Sequence, residues 1–467
     1  MRSLDLKGLR SSSVLPLLLL ALFSGSCGGE GTSTAVSASP QPREEADLIT
    51  RHGGGAAMMA LSGRTIAGYQ GWFGCPEENA GTGPAAYWRH WFNGQSDRAD
   101  QLTVDMAPDV TALPESALCT TGILHPDGRP MKVFSSATPA VVDLHFQWMN
   151  AHGIDGAAVQ RFVSTLRNRE DRARTDAVLE AIRSAAEAHG RVFYITYDIS
   201  GADPVSVYDD IREDWRHLTR TLKITASPAY LRAAETPLLQ LWGFGFKDRP
   251  GEPDKVLQLF ADLRSDSGTA PAPAVILIGG VPVGWRDSRG DSRPGAEWAK
   301  VYRSYDVISP WAVGRYDSEA TNRGFVEGLV IGDLAETERL NLGYMPVIFP
   351  GFSWANLMTV RGDASSAVRN RIPRRCGNFL WAQGQTRIAA GSRSLYIAMF
   401  DEVDEATAIM PVVPRREDLP PGTNLLALDE DGCDLPSDWY LRVSGSLAGY
   451  LRSGEVPPGA LSSVLRP

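Results

Sequence analysis

The fold is decided by three consecutive segments: GAAVQRF (156–162), DRARTDAVLEAIRSAAEAH (171–189) and VFYITYD (192–198). The first and third are largely apolar along their whole length, as strands buried on both faces of a sheet are. The middle segment places Val178 and Ile182 on one face of an amphipathic helix. This order of strand, helix and strand predicts a βαβ unit with parallel strands.

The same alternation continues over most of the chain. The eight predicted strands are Ile66–Phe73, Gly156–Phe162, Val192–Asp198, Leu238–Phe246, Ala274–Pro282, Val307–Tyr316, Met345–Trp354 and Leu395–Glu402. The predicted helices cover 139–152, 171–189, 205–232, 254–265, 295–304, 319–340, 376–390 and 438–452. Eight such units predict an α/β fold, a single (β/α)8 TIM barrel over residues 59–460, whose first βα connection (74–138) is unusually long.

Composition excludes several classes of protein. The 467 residues are 43% hydrophobic and 22% charged, proportions that are usual for globular proteins. The formal net charge is −9, from 46 basic and 55 acidic residues. This balance lacks the positive footprint of a nucleic-acid binder, so we expect no nucleic-acid partner.

The N-terminus has the features of a secretory signal. Three basic residues among the first ten precede a short apolar run (14–23), and small residues lead to Cys27. Cys27 resembles the lipidated cysteine of a bacterial lipoprotein signal, so residues 1–27 predict a signal peptide with a lipid anchor in the membrane. Plain secretion is the alternative. Residues 28–58 predict a flexible linker, and either reading predicts an extracytoplasmic protein of the cell envelope or exterior.

Four cysteines remain after Cys27. They are Cys75, Cys119, Cys376 and Cys433. In an oxidising compartment, four cysteines can form disulfides in three different pairings. We expect Cys75 to pair with Cys119, because this disulfide closes a local loop. Four free thiols are the alternative. No CxxC motif occurs, and the sequence implies neither a metal site nor a cofactor.

The C-terminal ends of the predicted strands carry the candidate site, because active sites of TIM barrels lie there. Aromatic rings can stack on sugar faces, and polar side chains can bind sugar hydroxyls. The candidate substrate-binding residues are Tyr69, Gln70, Trp72, Gln160, Arg161, Tyr197, Asp198, Trp242, Trp285, Arg286, Trp311, Arg315, Tyr316, Trp354 and Asp401. The alternative role for any single tryptophan is packing in the core. The alternative role for Arg161 and Arg315 is an ion pair with a carboxylate.

The eighth predicted strand ends in Asp401-Glu402-Val403-Asp404-Glu405. Cleavage of a glycosidic bond needs two carboxyl groups, and Glu402 and Glu405 stand three residues apart at this strand end. Crowding of four carboxylates would raise at least one pKa, as an acid working near neutrality requires. The alternative is an acidic loop facing solvent. We therefore expect a glycosidase with a carbohydrate substrate, and we infer no protein partner.

Three motifs resemble bacterial relatives of glycoside hydrolase families 99 and 71, the endo-α-mannosidases and α-1,3-glucanase-like enzymes, which are often labelled xylosidase/arabinosidase. The motifs are YQGWF (69–73), HFQWM (145–149) with GIDG (153–156), and FDEVDEAT (400–407). The strand-8 motif is the most specific, since family 99 carries Glu-Trp-x-Glu-Gly-Thr there.

The resemblance implies a TIM barrel and a retaining, endo-acting α-glycosidase. By this resemblance Glu402 would be the base acting on the sugar's own 2-hydroxyl, and Glu405 would protonate the departing oxygen. The family's Thr falls on Thr407. Val403 replaces Trp and Ala406 replaces Gly, so the mannose preference does not transfer. A glycan-binding surface lipoprotein that kept the barrel without its chemistry is the alternative function.

Overall fold

The computed structural model describes residues 53–79, 87–265 and 274–467. The predicted signal peptide, Cys27 and nearly all of the predicted linker lie outside the described residues. The first described element is a helix that begins at Gly54. Residues 54–58, which we expected within the linker, are therefore part of the folded domain.

Parallel strands form the centre of the molecule. The strands in chain order are β1 (Thr65–Tyr69), β2 (Leu118–Leu124), β3 (Pro130–Phe134), β4 (Gly156–Phe162), β5 (Val192–Asp198), β6 (Arg232–Ala233), β7 (Thr236–Trp242), β8 (Ile276–Val281), β9 (Val307–Pro310), β10 (Gly343–Tyr344), β11 (Val347–Ile348) and β12 (Leu395–Ile397). Along the main sheet the order is β10-β9-β8-β7-β5-β4-β1-β12-β11. The strands that pair along this path are parallel.

The sheet closes on itself through one segment. Strands β10 and β11 lie at opposite ends of the strand order but are separated in sequence by only Met345 and Pro346. The Met345 N–H donates to the Ile308 carbonyl of β9, and the Pro346 carbonyl accepts from the Tyr396 N–H of β12. This segment is therefore the seventh barrel strand, and the predicted (β/α)8 barrel is confirmed.

Helices surround the barrel. They are α1 (Gly54–Leu61), α2 (Pro139–Ala151), α3 (Arg169–His189), α4 (Val207–Arg220), α5 (Pro253–Arg264), α6 (Ala296–Arg303), α7 (Glu319–Phe325), α8 (Ile331–Arg339), α9 (Ala355–Val360), α10 (Asn378–Ala389) and α11 (Trp439–Ser453). A π-helical turn, Val326–Val330, joins α7 to α8 within the predicted helix 319–340. The helix predicted over 205–232 ends at Arg220, because Lys223 takes a left-handed conformation and the chain then forms β6.

Several strands end before the predicted boundary. Strand β12 stops at Ile397, although its apolar run continues to Phe400, and β1 stops at Tyr69. The residues beyond both ends are buried or half-buried in loops at the mouth of the barrel, so they keep a strand-like composition without strand pairing. These loops hold the candidate site.

The long first connection contains an antiparallel hairpin, β2 paired with β3, which is not among the predicted strands. A disulfide between Cys75 and Cys119 ties it to the end of β1, and a second disulfide joins Cys376 to Cys433. Within the described ranges, no helix is both long and apolar enough to cross a bilayer.

The hairpin disulfide makes a testable contribution to stability. The two cysteines are 44 residues apart in sequence. Crosslinking a loop of this length restricts the unfolded chain, so a Cys75→Ser/Cys119→Ser variant should lose about 4 kcal/mol of unfolding free energy. Urea unfolding followed by tryptophan fluorescence measures the difference. A loss below about 1 kcal/mol would contradict this entropic account.

Candidate active site

Four carboxylic side chains follow β12 and all four are buried. Asp401, Glu402, Asp404 and Glu405 are 0%, 3%, 5% and 4% exposed. The acidic run is therefore not a solvated loop. Four carboxyl groups at the mouth of the barrel can stay buried only if hydrogen bonds or bound protons offset the cost of desolvating their charge.

Asp401 joins the first and last barrel strands. Its carboxylate accepts the backbone N–H groups of Gln70 at 2.7 Å and Gly71 at 2.9 Å, just past the end of β1. Gly71 has a φ of +62°, a conformation that suits glycine and lets both N–H groups face one carboxylate. Asp401, predicted to bind substrate, thus fixes the loop that carries Gln70.

Glu402 has a specific hydrogen-bond donor on each oxygen. The Gln70 amide donates to Oε1 at 2.6 Å, and the Thr407 hydroxyl donates to Oε2 at 2.6 Å. Burial and the nearby Asp404 raise the pKa of Glu402, whereas these two donors lower it by stabilising the carboxylate. Thr407 is the threonine that the family resemblance singled out, and this contact is its observed role.

Glu405 has the opposite environment. Among the described residues, no hydrogen-bond donor reaches its carboxyl group. Burial, followed by the negative charges of Glu402 and Asp404, raises its pKa well above the usual range, and Arg361 only partly opposes this. The two hydrogen bonds therefore make Glu402 easier to ionise than Glu405, and Glu405 is the member of the pair that holds its proton more firmly.

The loop bearing these groups is fixed through its backbone. The Val403 carbonyl accepts the N–H groups of Asp105 and Met106, both at 3.0 Å, and the Glu405 carbonyl accepts the Ser353 N–H at 2.9 Å. The carboxylate of Asp105 in turn accepts the Ala355 and Asn356 N–H groups at the start of α9. Burial raises the pKa of Asp105 to about 6. The first loop, the seventh strand end and the eighth strand end form one network.

His90 and Trp72 form a stacked pair beside the carboxylates. Their rings are 4.0 Å apart and nearly parallel, and His90 Nδ1 lies 3.5 Å from Asp404 Oδ2. Burial, with the charges of Arg174, Arg89 and Arg361, lowers the pKa of His90 to about 3, so this imidazole is neutral. A neutral ring and an indole at a cleft edge can bind a sugar.

Alternation along the strands separates the other candidates into two groups. Neighbouring residues of a strand point to opposite faces, so one of each pair faces the barrel interior and the other faces the helices. Gln160 donates to the Tyr396 hydroxyl of β12 at 3.1 Å, whereas Arg161 pairs with Asp214 and Asp176 on the helices α4 and α3. The guanidinium of Arg161 is thus held by structural ion pairs.

Three tyrosines among the candidates also contact groups outside the barrel interior. The Tyr69 hydroxyl contacts His145 Nδ1 of α2 at 2.9 Å, and the Tyr197 hydroxyl donates to Asp214 at 2.8 Å. The Tyr316 hydroxyl donates to Gln383 of α10 at 2.7 Å. All three side chains are buried against helices, and the structure assigns them packing roles in place of the expected sugar contacts.

The remaining candidate residues differ in burial and in the protein groups that they contact. Trp285 is fully buried, and the Trp354 indole donates to the Ser366 carbonyl. Arg286 and Arg315 are ion-paired with Asp333 and Asp291. Trp242 stacks on Phe246 and meets the edge of the half-buried Trp311, whose ring centroid is 6.4 Å from that of Tyr396. Asp198 accepts the Ser200 N–H at 2.7 Å.

The structure brings together a smaller set around Glu402 and Glu405. Its members are Gln70, Trp72, His90, Gln160, Tyr396, Asp404, Thr407 and Arg361. His90, Tyr396 and Arg361 were not predicted as site residues. Gln160 Oε1 and Asp404 Oδ1 are buried and have no partner among the described residues, which leaves them available to ligand hydroxyls. The part of the chain that the structure describes contains no group of three His, Cys, Asp or Glu residues suited to a metal ion.

Known structures share this fold. Two structures of the glycoside hydrolase family 99 endo-alpha-mannosidase from Bacteroides thetaiotaomicron, one in complex with BIS-TRIS-propane, are similar to the chain at 15% and 16% identity. Each match covers 84% of this chain and 98–99% of the other, with TM-scores of 0.56 and 0.55. At this identity the likeness establishes a shared fold. No family model and no curated protein matches the chain.

The buried carboxyls predict an unusual pH dependence of stability. Burial raises the pKa of Asp401 to about 7, and the pKa values of Glu402, Asp404 and Glu405 are also raised. Between pH 6.5 and 8 the folded state thus binds protons that the unfolded state, with carboxyl pKa values near 4, does not. Stability should therefore fall as pH rises, by about 2 °C in the thermal midpoint over this window.

A Glu405→Gln variant isolates the carboxyl contribution. His90 and His145 are buried and neutral, with pKa values lowered to about 3, so near pH 6.5 they make stability rise with pH. Both proteins contain these histidines, so their effect is the same in each. The variant should show a smaller pH slope of the thermal midpoint than the wild type. Equal slopes would contradict the assignment of a bound proton to Glu405.

Proposed function

We propose that this protein is a glycoside hydrolase that cleaves an α-linked poly- or oligosaccharide, with Glu402 as base and Glu405 as acid. The observation that carries the proposal is the asymmetry of this pair, in which Gln70 and Thr407 donate to Glu402 and no described group donates to Glu405. A glycosidase needs one carboxylate and one carboxylic acid beside the scissile bond. The shared fold alone would not support a function.

The geometry supports a two-step retaining reaction of the kind that the family resemblance implies. In the first step Glu402 takes the proton of the sugar 2-hydroxyl, whose oxygen attacks the anomeric carbon. Glu405 gives its proton to the departing oxygen, so the glycosidic bond breaks and an anhydro-sugar forms. In the second step Glu405 takes a proton from water, which opens the anhydro ring, and Glu402 returns its proton to the 2-oxygen.

Each residue near the pair has a place in this scheme. Glu402 acts as the base because its two donors stabilise the carboxylate and make it the more readily ionised member of the pair. Glu405 is protonated because burial and neighbouring charges raise its pKa. The unpartnered Gln160 Oε1 and Asp404 Oδ1 would accept sugar hydroxyls, and the Trp72–His90 stack would border the cleft.

We also propose an extracytoplasmic location. Two disulfides form in the structure, and disulfides persist in oxidising compartments. The signal-like N-terminus supports the same location, with Cys27 as the proposed lipid attachment site.

A substrate panel tests the proposed activity. Release of reducing ends from α-mannan, α-1,3-glucan, arabinan and xylan is measured with the wild type, Glu405→Gln and Asp306→Asn. Asp306 is a buried carboxylate beside β9 that accepts the Gly53 and Leu277 N–H groups at the opposite end of the barrel, so Asp306→Asn controls for damage to the fold. The wild type and Asp306→Asn should release product, and Glu405→Gln should be at least about 100-fold slower.

Two other results have definite meanings. Equal activity of Glu405→Gln and wild type would disprove the role of Glu405. If no protein releases product while the wild type binds glycans on an array, the chain is a glycan-binding protein and the hydrolase proposal is wrong.

A further inference from the structure

Arg374 lies behind the loop that carries Glu402 and Glu405. Its side chain is buried, and its guanidinium donates to two carbonyl groups of that loop: Nη1 to Ala406 at 3.1 Å and Nη2 to Ala408 at 2.7 Å. These carbonyls flank Thr407, whose hydroxyl donates to Glu402 at 2.6 Å. Arg374 therefore holds the backbone on both sides of the residue that stabilises the proposed base.

The contact restrains a part of the loop that has an unusual backbone conformation. Ala406 has a φ of +53°, in the left-handed region that a residue with a Cβ seldom adopts. Such a conformation persists only when the surrounding structure holds it. The Arg374 hydrogen bonds to Ala406 and Ala408 contribute to this restraint on both sides of Thr407. They act together with backbone hydrogen bonds that join Thr407 to Glu402 and Met399.

Arg374 is itself held firmly. Its guanidinium lies 3.8 Å from the centre of the Tyr440 ring of α11, and the Tyr440 hydroxyl donates to the Arg374 carbonyl at 3.4 Å. Two residues further on, Cys376 forms the disulfide with Cys433. Arg375 donates its backbone N–H to the Asp431 carboxylate. Arg374 and its two hydrogen bonds to the Ala406 and Ala408 carbonyls, which we call the clamp, are thus attached to α11 and to the loop around Cys433.

The surroundings of Arg374 are unusual for a buried cation. Among the described residues, no carboxylate lies within ion-pairing distance of its guanidinium. Burial accordingly lowers the pKa of Arg374. A buried guanidinium costs free energy unless its donors are used. Here Nη1 and Nη2 donate to the two loop carbonyls, Nη1 also contacts Met106 Sδ, and Nε has no partner among the described residues.

We infer that Arg374 is a positioning residue for the proposed base, acting through the Ala406 and Ala408 carbonyls to keep the Thr407 hydroxyl on Glu402. The inference rests on the proposed function and extends it to a residue that never meets the sugar. Loss of the clamp releases Thr407, removes a donor from Glu402 and raises its pKa.

Arg387 of α10 provides a matched control. It is also a buried arginine beside aromatic rings, 5.5 Å from the Tyr316 centroid and 5.2 Å from that of Phe325. Its donors go to Asn322 and Tyr316, among other groups away from the Glu402 loop. An Arg387→Met variant therefore loses a buried guanidinium without touching the clamp.

The test measures kcat, KM and the pH profile of kcat on the polysaccharide that the wild type cleaves among α-mannan, α-1,3-glucan, arabinan and xylan. The proteins compared are the wild type, Arg374→Met, Arg387→Met, Thr407→Val and the double variant Arg374→Met/Thr407→Val. Arg374→Met should lower kcat about tenfold or more with little change in KM, as loss of a hydrogen bond to a charged group does. Its acid limb should move to higher pH, since Glu402 must be ionised. The double variant should be no slower than Thr407→Val, and Arg374→Lys should recover part of the loss.

Arg387→Met should retain kcat and the wild-type pH profile, even if its melting temperature falls. An equal loss of kcat in Arg374→Met and Arg387→Met would reduce Arg374 to a structural role. An unchanged pH profile in Arg374→Met, or losses that multiply in the double variant, would overturn the inference as well.

A crystal structure of Arg374→Met separates this inference from the proposed function. The separation of Thr407 Oγ1 and Glu402 Oε2 should increase beyond hydrogen-bond range in the variant, whereas a contact kept at 2.6 Å would overturn the clamp. A wild type that cleaves no glycan overturns the proposed hydrolase, and this distance then decides the clamp without any activity measurement.

Discussion

The hydrogen bonds from Gln70 and Thr407 to Glu402 are the interaction on which the site depends. Four buried carboxyl groups cannot all be ionised at neutral pH, because each charge disfavours the others in a medium of low polarity. Two donors directed at the Glu402 carboxylate favour its ionisation over that of Glu405. Without them Glu402 and Glu405 would be two similar acids, and the division between base and acid would be lost.

Barrel closure makes this interaction possible. Gln70 follows the first strand and Glu402 follows the last, and the two strands become neighbours only when β1 pairs with β12. Asp401 fixes their relative position by accepting two N–H groups from the Gln70–Gly71 turn. The long first connection contributes His90 and Asp105, so elements far apart in sequence surround the same carboxylates.

Much of the fold could be predicted from the sequence. Strands Gly156–Phe162 and Val192–Asp198 have the predicted bounds, because strands covered on both faces leave a continuous apolar signal. The hairpin β2–β3 could not be predicted from the same signal, since exposed side chains alternate with buried ones along β2 and interrupt any apolar run. Strand ends were also placed too late, because burial continues past Ile397 after pairing has stopped.

The residues predicted for the candidate site divide into two groups, and the division has a physical cause. The sequence showed that polar and aromatic side chains gather at strand ends, but the direction of each side chain depends on barrel geometry. Gln160 faces the interior and Arg161 faces the helices, although both stood in the same motif. His90 carries no sequence signal of its own, because its position depends on the fold of the long first loop.

The most direct test of the account compares Glu402→Gln with Glu405→Gln on two substrates of the same sugar: the natural glycan and an aryl glycoside whose phenolate departs without a proton. Rapid-mixing measurement of phenolate release reports the first chemical step. We expect Glu405→Gln to retain a burst of phenolate release while failing on the glycan, and Glu402→Gln to fail on both. The reverse pattern, or equal loss in both variants on both substrates, would contradict the assignment of base to Glu402 and acid to Glu405.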